Sequence, residues 1–499
     1  MYLWSPGSAP FIFDEPELVL RALDLNRRHA IAHAGLTGTL GRPYGPLPLW
    51  IYQAMLLVTH DPVSLMSIRI ALVAGPTLLA LLMIARHSRM TPWPLLIPLA
   101  SPYTWFYSRL MWDNSFNIPL TFFAVAFYTA WLGATEGSVS TTAAPAKSRR
   151  SQVFMFAATA LSTMTLLVHP MSLPILGALL GHALLRRRRA LLAHASPALL
   201  GVMLVACAST FYVQAFLAAH SSLSTGRPAL EAWTFALLNP RLLSGAWMDF
   251  FFFNMAERPV NTPAVATHAA YLTSAGAWTT AFNAAAAVSL LAFPLAYLSP
   301  ILNLARLRHG IPESPTQETP PRRSLGPDLC LLAALAIGLQ VLLLGVTESY
   351  GPPHYYQATL IASTLLVWTT LDWMAHAPVR AAVARWLRGL AGALTATQVA
   401  ALLTVTLLLA YRTRQTHGTR GLFFGTDLNT QIDVVSRMTM PRARFAIETT
   451  TFSESLTCLY ALLNVQTDND APPQNVTVVY KHPEDPNNAE LDLKLEPAK

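Results

Sequence analysis

Apolar stretches of membrane-spanning length alternate with short polar loops from about Ser64 to Tyr411. A hydrocarbon layer of about 30 Å needs roughly 20 apolar residues per helix, and backbone in lipid must satisfy its hydrogen bonds within its own helix. The spacing predicts about ten spans, at 64–86, 92–107, 113–133, 153–169, 171–185, 197–218, 270–298, 328–346, 355–375 and 390–411. Ahead of them, residues 17–30 predict a short amphipathic helix with Leu18, Leu20 and Leu25 among its apolar positions. The run 47–59, opened by Pro46 and Pro48, is too short to cross a bilayer. It predicts a helix lying in the interface, with Trp50 and Tyr52 at headgroup depth. After Tyr411 polar residues return, and FAIETTTFSESLTCLYALLNV followed by NVTVVYKHP predicts a small mixture of helices and strands, ending in a loose acidic segment from about Pro483. The fold class is therefore an all-α polytopic membrane protein with a small C-terminal α/β region. Its parts are a head (1–63), a transmembrane domain (64–411) and a C-terminal domain (412–499).

Charge orients this arrangement. Only 12% of residues are charged and 53% are hydrophobic, about half the charge of an ordinary soluble chain. Arg86 and Arg89 follow the first span, Lys147, Arg149 and Arg150 the third, Arg186 to Arg189 the fifth, Arg306, Arg308, Arg322 and Arg323 the seventh, and Arg380, Arg385 and Arg388 the ninth. The intervening loops at 170 and 348–354 hold no Lys or Arg. The positive-inside rule makes the basic loops cytoplasmic, which places head and tail on the outer face. The net charge of +8 is then topology signal, and no nucleic-acid partner is expected. Cys207, Cys330 and Cys458 are too dispersed to predict a disulfide. The opening MYLWSPGSAP has neither the basic start nor the apolar core of a signal peptide. An outer head needs something to translocate it, so the sequence predicts a helix ahead of residue 1. The Pro-rich 303–327 reads as a flexible linker. Few lysines against many Ala and Arg point to a high-GC bacterium and its inner membrane, with the head extracytoplasmic.

The candidate chemistry lies on that outer face. Asp14 and Glu15 sit beside Phe11, Ile12, Phe13 and Pro16, and adjacent carboxylates in an apolar stretch near lipid are costly unless used. The alternative is a helix N-terminus favoured by its dipole. YGPLPLWIY (Tyr44–Tyr52), DPVSLMSIRIALVAGP (Asp61–Pro76), SPYTWFYSRLMWDNSFNIPL (Ser101–Leu120), LLVHPMSLPIL (Leu166–Leu176) and HYYQATL (His354–Leu360) follow in order. With the acidic pair, this series resembles the GT-C superfamily of membrane glycosyltransferases, and within it bacterial relatives of protein O-mannosyltransferases and aminoarabinose transferases. The resemblance covers roughly residues 10–375. Such enzymes carry a membrane helix before the acidic pair, and this chain departs from the pattern there.

The resemblance implies transfer of a sugar from a polyprenyl-phosphate donor to a glycan, lipid or protein acceptor, inverting and with a single carboxylate base. Asp14 is the base by its place in the motif, and Glu15 orients it or helps to bind a divalent cation, whose involvement the sequence leaves open. Substrate-binding candidates are Tyr44, Arg109, Asp113, Asn114, His169, Arg258, His354 and Tyr355. Arg109 could instead snorkel to the interface, His169 could cap a helix end, and Tyr355 could be a belt aromatic. Phe250 to Phe253, in the outer loop 219–269, read as an interfacial cover for donor lipid or as packing, and Asn475-Val476-Thr477 is an outer-face sequon. No Walker-type loop is present. Competing classes are a transporter or flippase, which would place charges in mid-membrane, and an inactive lipid-binding scaffold.

Overall fold

The computed structural model describes residues 3, 5–11, 14–38, 43–135, 148–218, 278–289, 291–308, 324–346, 357–377, 379–418, 426–437, 443–447, 453–463, 474–482 and 490–495. The head forms α1 (Asp14–Arg27) and α2 (Leu47–Leu56), close to the ranges expected. Three acids in the first turn of α1 and Arg27 in its last complement the helix dipole, and Pro48 occupies the first turn of α2, where no amide is needed. Then comes α3 (Pro62–Ser88), capped by Asp61, whose carboxylate accepts from the Ser64 amide at 2.8 Å.

The expected span at 92–107 is not one helix. It is a 3-10 turn (Trp93–Leu95), then α4 (Leu96–Ala100) and α5 (Pro102–Arg109). Ser101 caps α5 through the Thr104 amide, and Pro102 can only start a helix at that point. After a 3-10 turn at Asp113–Phe116 come α6 (Asn117–Thr135), α7 (Arg149–Leu166), α8 (Leu173–Arg186) and α9 (Arg188–Ala193). Next, α10 (Ala195–Ala208) and α11 (Thr210–Ala218) meet at a bend of 73°. Hydroxyls of Ser209 and Thr210 bond back to the carbonyls of Val205 and Cys207 at that bend. The described helices continue with α12 (Trp278–Ser289), α13 (Ala292–Arg308), α14 (Gly326–Val346), α15 (Leu360–Ala375) and α16 (Ala381–Thr416). Among the described residues, five helices are long and apolar enough to cross a membrane, or six if the bent pair is one span. The segment containing α15 is 89% buried and central, whereas α3 and α10 leave Leu72, Leu79, Leu82, Leu199, Met203 and Leu204 exposed, as lipid-facing helices do.

The two ends of the bundle carry different chemistry. At one, the Ser88 carbonyl accepts from the Leu325 amide at 3.2 Å, Ser151 Oγ meets His194 Nε2 at 2.8 Å, and Asp328 lies 3.1 Å from Arg187, 3.3 Å from His182 and 3.7 Å from Arg186. Described residues that flank the Arg-rich loops after the first, third, fifth and seventh expected spans therefore meet at one end. Tyr128 Oη completes this network at 2.8 Å from His182 Nδ1, tying α6 and α8 to α14. At the other end lie the head, the 105–117 turn, the 167–172 turn and the C-terminal region.

That C-terminal region comprises α17 (Leu428–Ser436), β1 (Ala443–Ile447), α18 (Ser453–Leu463), β2 (Gln474–Tyr480) and β3 (Leu491–Leu495). The sheet order is β1-β2-β3, with β1 parallel and β3 antiparallel to β2. The sequon lies within β2, where Asn475 pairs with Arg444. The acidic end is not all loose. LDLKL alternates apolar and polar residues with the period of a strand, and it forms β3. Buried Leu456, Cys458 and Leu459 of α18 pack in the shared core, and α18 lies against α1.

Asp328→Asn should destabilise the purified protein by about 3 kcal/mol, because it strips the counter-charge from the half-buried Arg187 and from His182, which is fully buried. Equal melting of the variant and native protein in neutral detergent would show that the network contributes nothing.

Candidate functional site

The site is assembled by a close approach of backbones. A β-carbon on Gly45 would lie 1.9 Å from the Leu167 carbonyl oxygen, so only glycine lets the YGP turn reach the end of α7. The Leu47 amide then donates to that same carbonyl at 3.2 Å, and the Tyr44 ring packs 4.4 Å from the His169 imidazole. His169 Nδ1 accepts from the Met171 amide at 3.1 Å, the capping role that was its alternative.

The adjacent acids separate. Glu15 is buried, within electrostatic reach of the Arg69 guanidinium and the Tyr52 phenol. Arg69 is itself fully buried. It donates to the Ser108 carbonyl at 2.6 Å and lies 4.9 Å over the Phe116 ring. Tyr52 packs edge-on against Phe116 at 5.8 Å and faces the protein core. Burial, reinforced by Glu15, raises its phenol well above the ordinary value despite the opposing Arg69 charge, which keeps it protonated.

Asp14 is half-buried at the start of α1, and its Oδ2 accepts from the Trp112 indole at 3.0 Å. The Asp113 carboxylate is near enough to interact with it electrostatically. Asp113 Oδ1 accepts from the Asn114 amide at 2.6 Å. Asp113 Oδ2, Asn114 Oδ1, Ser115 Oγ and Asn117 Oδ1 are all buried and find no hydrogen-bond partner in the protein. A buried polar atom left so costs about 1–3 kcal/mol, so the DNSFN turn presents a group of oxygens suited to a polar ligand.

Arg109 reaches the head. It donates to the Ser5 carbonyl at 2.6 Å and Ser8 Oγ at 2.8 Å, and lies 4.6 Å over the Trp105 ring. Burial pushes it down to about 10, still cationic at neutral pH. From the other side, the Leu428 amide donates to the Ala9 carbonyl at 2.9 Å and Gln431 Nε2 to the Phe11 carbonyl at 3.0 Å. The segment leading to Asp14 is thus clasped between α5 and α17.

The structure therefore groups Asp14, Glu15, Tyr44, Arg109, Asp113, Asn114 and His169 at one end of the bundle. Arg258, His354 and Tyr355 lie outside the described residues, as do Phe250 to Phe253. The reading of the sequence missed Arg69, though a lone arginine inside the apolar run 64–86 was its signal. It also missed Tyr52 as a core residue, and Ser115 and Asn117 as part of the polar turn. Among the described residues no three His, Cys, Asp or Glu side chains group as metal ligands. A divalent cation here would rest on Asp14 and Asp113 with neutral oxygens beside them.

An apolar groove of about 570 Å³ runs beneath α2, between α3 and α6, lined by residues that include Trp50, Ile51, Leu72, Phe116 and Phe123. Phe116 forms part of its wall and also carries Arg69, so groove and polar cluster are contiguous.

These features define a polytopic α-helical membrane protein with an acid-lined polar site beside an apolar groove. Two crystal structures of ArnT from Cupriavidus metallidurans, one bound to undecaprenyl phosphate and one in the apo state, are similar to the chain. Their identities are 13% and 12%, each with a TM-score of 0.49 over 95% of this chain and 90% of theirs. No family model matches the chain, and no curated protein matches it.

Two outcomes are expected. Arg69→Met should cost about 1–3 kcal/mol by leaving the buried Ser108 carbonyl without its donor, and because Arg69 and Glu15 interact electrostatically the cost should be smaller in a Glu15→Leu background. Additive losses in equilibrium unfolding would show that the two do not act as a pair. His417 Nδ1 lies 3.4 Å from Asp427, the N-cap of α17, and that contact raises its affinity for a proton above the ordinary value. Its stabilisation of the α16–α17 turn is full below about pH 6.5, the unfolded value, and is lost as pH rises through the folded one. His417→Gln should flatten the melting temperature against pH across that window, and an unchanged profile would remove His417 as its source.

Proposed function

We propose that the protein is a membrane glycosyltransferase that moves a sugar from a polyprenyl-phosphate donor to an acceptor hydroxyl or similar group at the extracytoplasmic face of a bacterial inner membrane. The observation that carries the reading is Asp14, held by the Trp112 indole beside buried Asp113 and next to a groove apolar enough for a polyprenyl chain. The ordered motifs that resemble GT-C enzymes support it. The oxygens of the DNSFN turn are suited to accept from sugar hydroxyls.

In the proposed reaction Asp14 takes the acceptor's proton as its oxygen attacks the anomeric carbon. The bond from that carbon to the phosphate oxygen breaks with inversion, and polyprenyl phosphate leaves with the bonding electrons. Phosphate departs readily, so a second carboxylate acting as acid is not required, unlike in a glycosidase. The indole N–H fixes the Asp14 carboxylate in one orientation, which a general base needs. Cationic groups expected to hold the departing phosphate include Arg258 and His354, whose positions are outside the described residues. Of the described arginines, Arg109 donates to Ser5 and Ser8 of the head, and Arg69 donates to the Ser108 carbonyl within electrostatic reach of Glu15.

Asp14→Asn should lower transfer of radiolabelled sugar from polyprenyl-phosphate donors by about 10²–10⁴-fold, while polyprenyl phosphate still binds, because an amide oxygen can accept from Trp112 as well. Full activity in the variant would remove Asp14 as the base. Lipid binding without turnover of any donor by the native protein would favour the scaffold or flippase.

A further inference from the structure

We propose that the Arg-rich end of the bundle carries a binding site for the phosphodiester headgroup of an anionic phospholipid, in the cleft where α15 and α16 diverge. The cleft holds about 280 Å³ and is walled by Thr91 and Trp93 from the turn before α4, Leu371 and His376 from α15, and Arg388 and Gly392 from α16. It is at the opposite end from Asp14 and independent of the glycosyltransferase reading.

Its depth follows from helix length. A helix of 36 residues is about 54 Å long, well beyond a hydrocarbon layer of about 30 Å. The apolar part, 389–411, fills that layer, which leaves the first two turns of α16 among headgroups. Those turns have the composition of such a layer. Val383 and Trp386 are exposed, as is Val379 just ahead of the helix, and Trp386 is 64% accessible. Across the cleft mouth Trp93 is 68% accessible, and exposed indoles are favoured at headgroup depth.

Charge then selects the lipid. Arg380, Arg385 and Arg388 stand on this segment, and no Asp or Glu occurs between Asp372 and Asp427. Asp372, the one carboxylate beneath the cleft, is engaged elsewhere. Its oxygens accept from the Thr91 amide at 2.8 Å, Thr91 Oγ1 at 3.2 Å and Ser324 Oγ at 3.3 Å, and lie 3.1 Å from His376 Nδ1. Arg388, by contrast, has a single long contact of 3.4 Å among the described residues, to the Ala384 carbonyl. Its guanidinium can clamp a phosphodiester, for which a planar fork is suited. Space for the ligand is shaped by glycine: a β-carbon on Gly389 or Gly392 would meet no heavy atom within 4 Å. A neutral zwitterionic lipid would gain less from this wall than an anionic one, since each basic residue near an anionic surface contributes about 1 kcal/mol.

The test is native mass spectrometry of the full chain in neutral detergent, titrated with phosphatidylglycerol or phosphatidylcholine. Phosphatidylglycerol should be retained in preference. Arg388→Gln should weaken that retention about fivefold, the equivalent of one basic contact, and Gly392→Leu should block it by filling the cleft. Arg28→Gln, an exposed charge at the other end, should change nothing. Equal retention of both lipids, or unchanged phosphatidylglycerol binding in a folded Arg388→Gln protein, would overturn the proposal. Should Gly392→Leu fail to fold, Arg388→Gln alone decides. Displacement of the bound lipid by inorganic phosphate would assign the site to free phosphate instead.

Discussion

The buried Arg69 guanidinium joins the parts of the site more directly than any other group described. It stands about 10 Å into α3, seven residues past its first turn's proline. From there it binds the Ser108 carbonyl at the end of α5, covers Phe116 in the polar turn, and offsets Glu15 of α1 beside Tyr52 of α2. A cation so buried is stable only when partnered, and Arg69 draws on the Ser108 carbonyl, the Phe116 ring and the nearby Glu15 charge. Each partner is therefore fixed in turn, and Asp14 is placed because its neighbour in the chain is placed. The two acids are adjacent in sequence and different in setting: Glu15 is buried within electrostatic reach of Arg69, and Asp14 is half-buried against the Trp112 indole.

This dependence explains why the site was half legible in the chain. Asp14, Asp113 and His169 are conspicuous as polar residues at the ends of apolar runs, and residue type at a boundary is visible in one dimension. Arg69 is not at a boundary, and its role exists only through the carbonyl of residue 108 and the ring of residue 116. Arg109 shows the converse. The sequence marks it as a cation near the interface, but only the fold shows that its partners are Ser5 and Ser8. Among the elements, α1, α2 and α3 follow from their prolines, acids and apolar periods. The break at Ser101-Pro102 was legible and was overridden by hydropathy, which counts apolar residues and ignores caps. The strand at 491–495 was hidden by its charged neighbours, although Leu491, Leu493 and Leu495 alternate as a strand requires.

The C-terminal region acquires a structural purpose from the same logic. A head preceding its interfacial helices has few local contacts to fix residues 5–11. Arg109 holds one side, and the α17 residues Leu428 and Gln431 hold the other through main-chain carbonyls. Main-chain contacts fix register whatever the side chains are, so the clasp constrains where Asp14 stands without limiting what surrounds it.

The two ends of the bundle also differ in the kind of buried polar groups they hold. At the Arg-rich end, Asp328 has three basic side chains around it and Asp372 is surrounded by donors. Ion pairing of this kind rigidifies a structure, although Asp328 Oδ1, His182 Nε2 and Arg187 Nε there are buried without a hydrogen-bond partner among the described residues. At the head end, four oxygens within five consecutive residues are buried without a protein partner. Such an arrangement opposes folding and persists where something else makes use of it. Asp14 stands beside that turn and not beside the ion-paired carboxylates of the other end, which under the proposed function is where a base acting on a bound sugar acceptor would have to be.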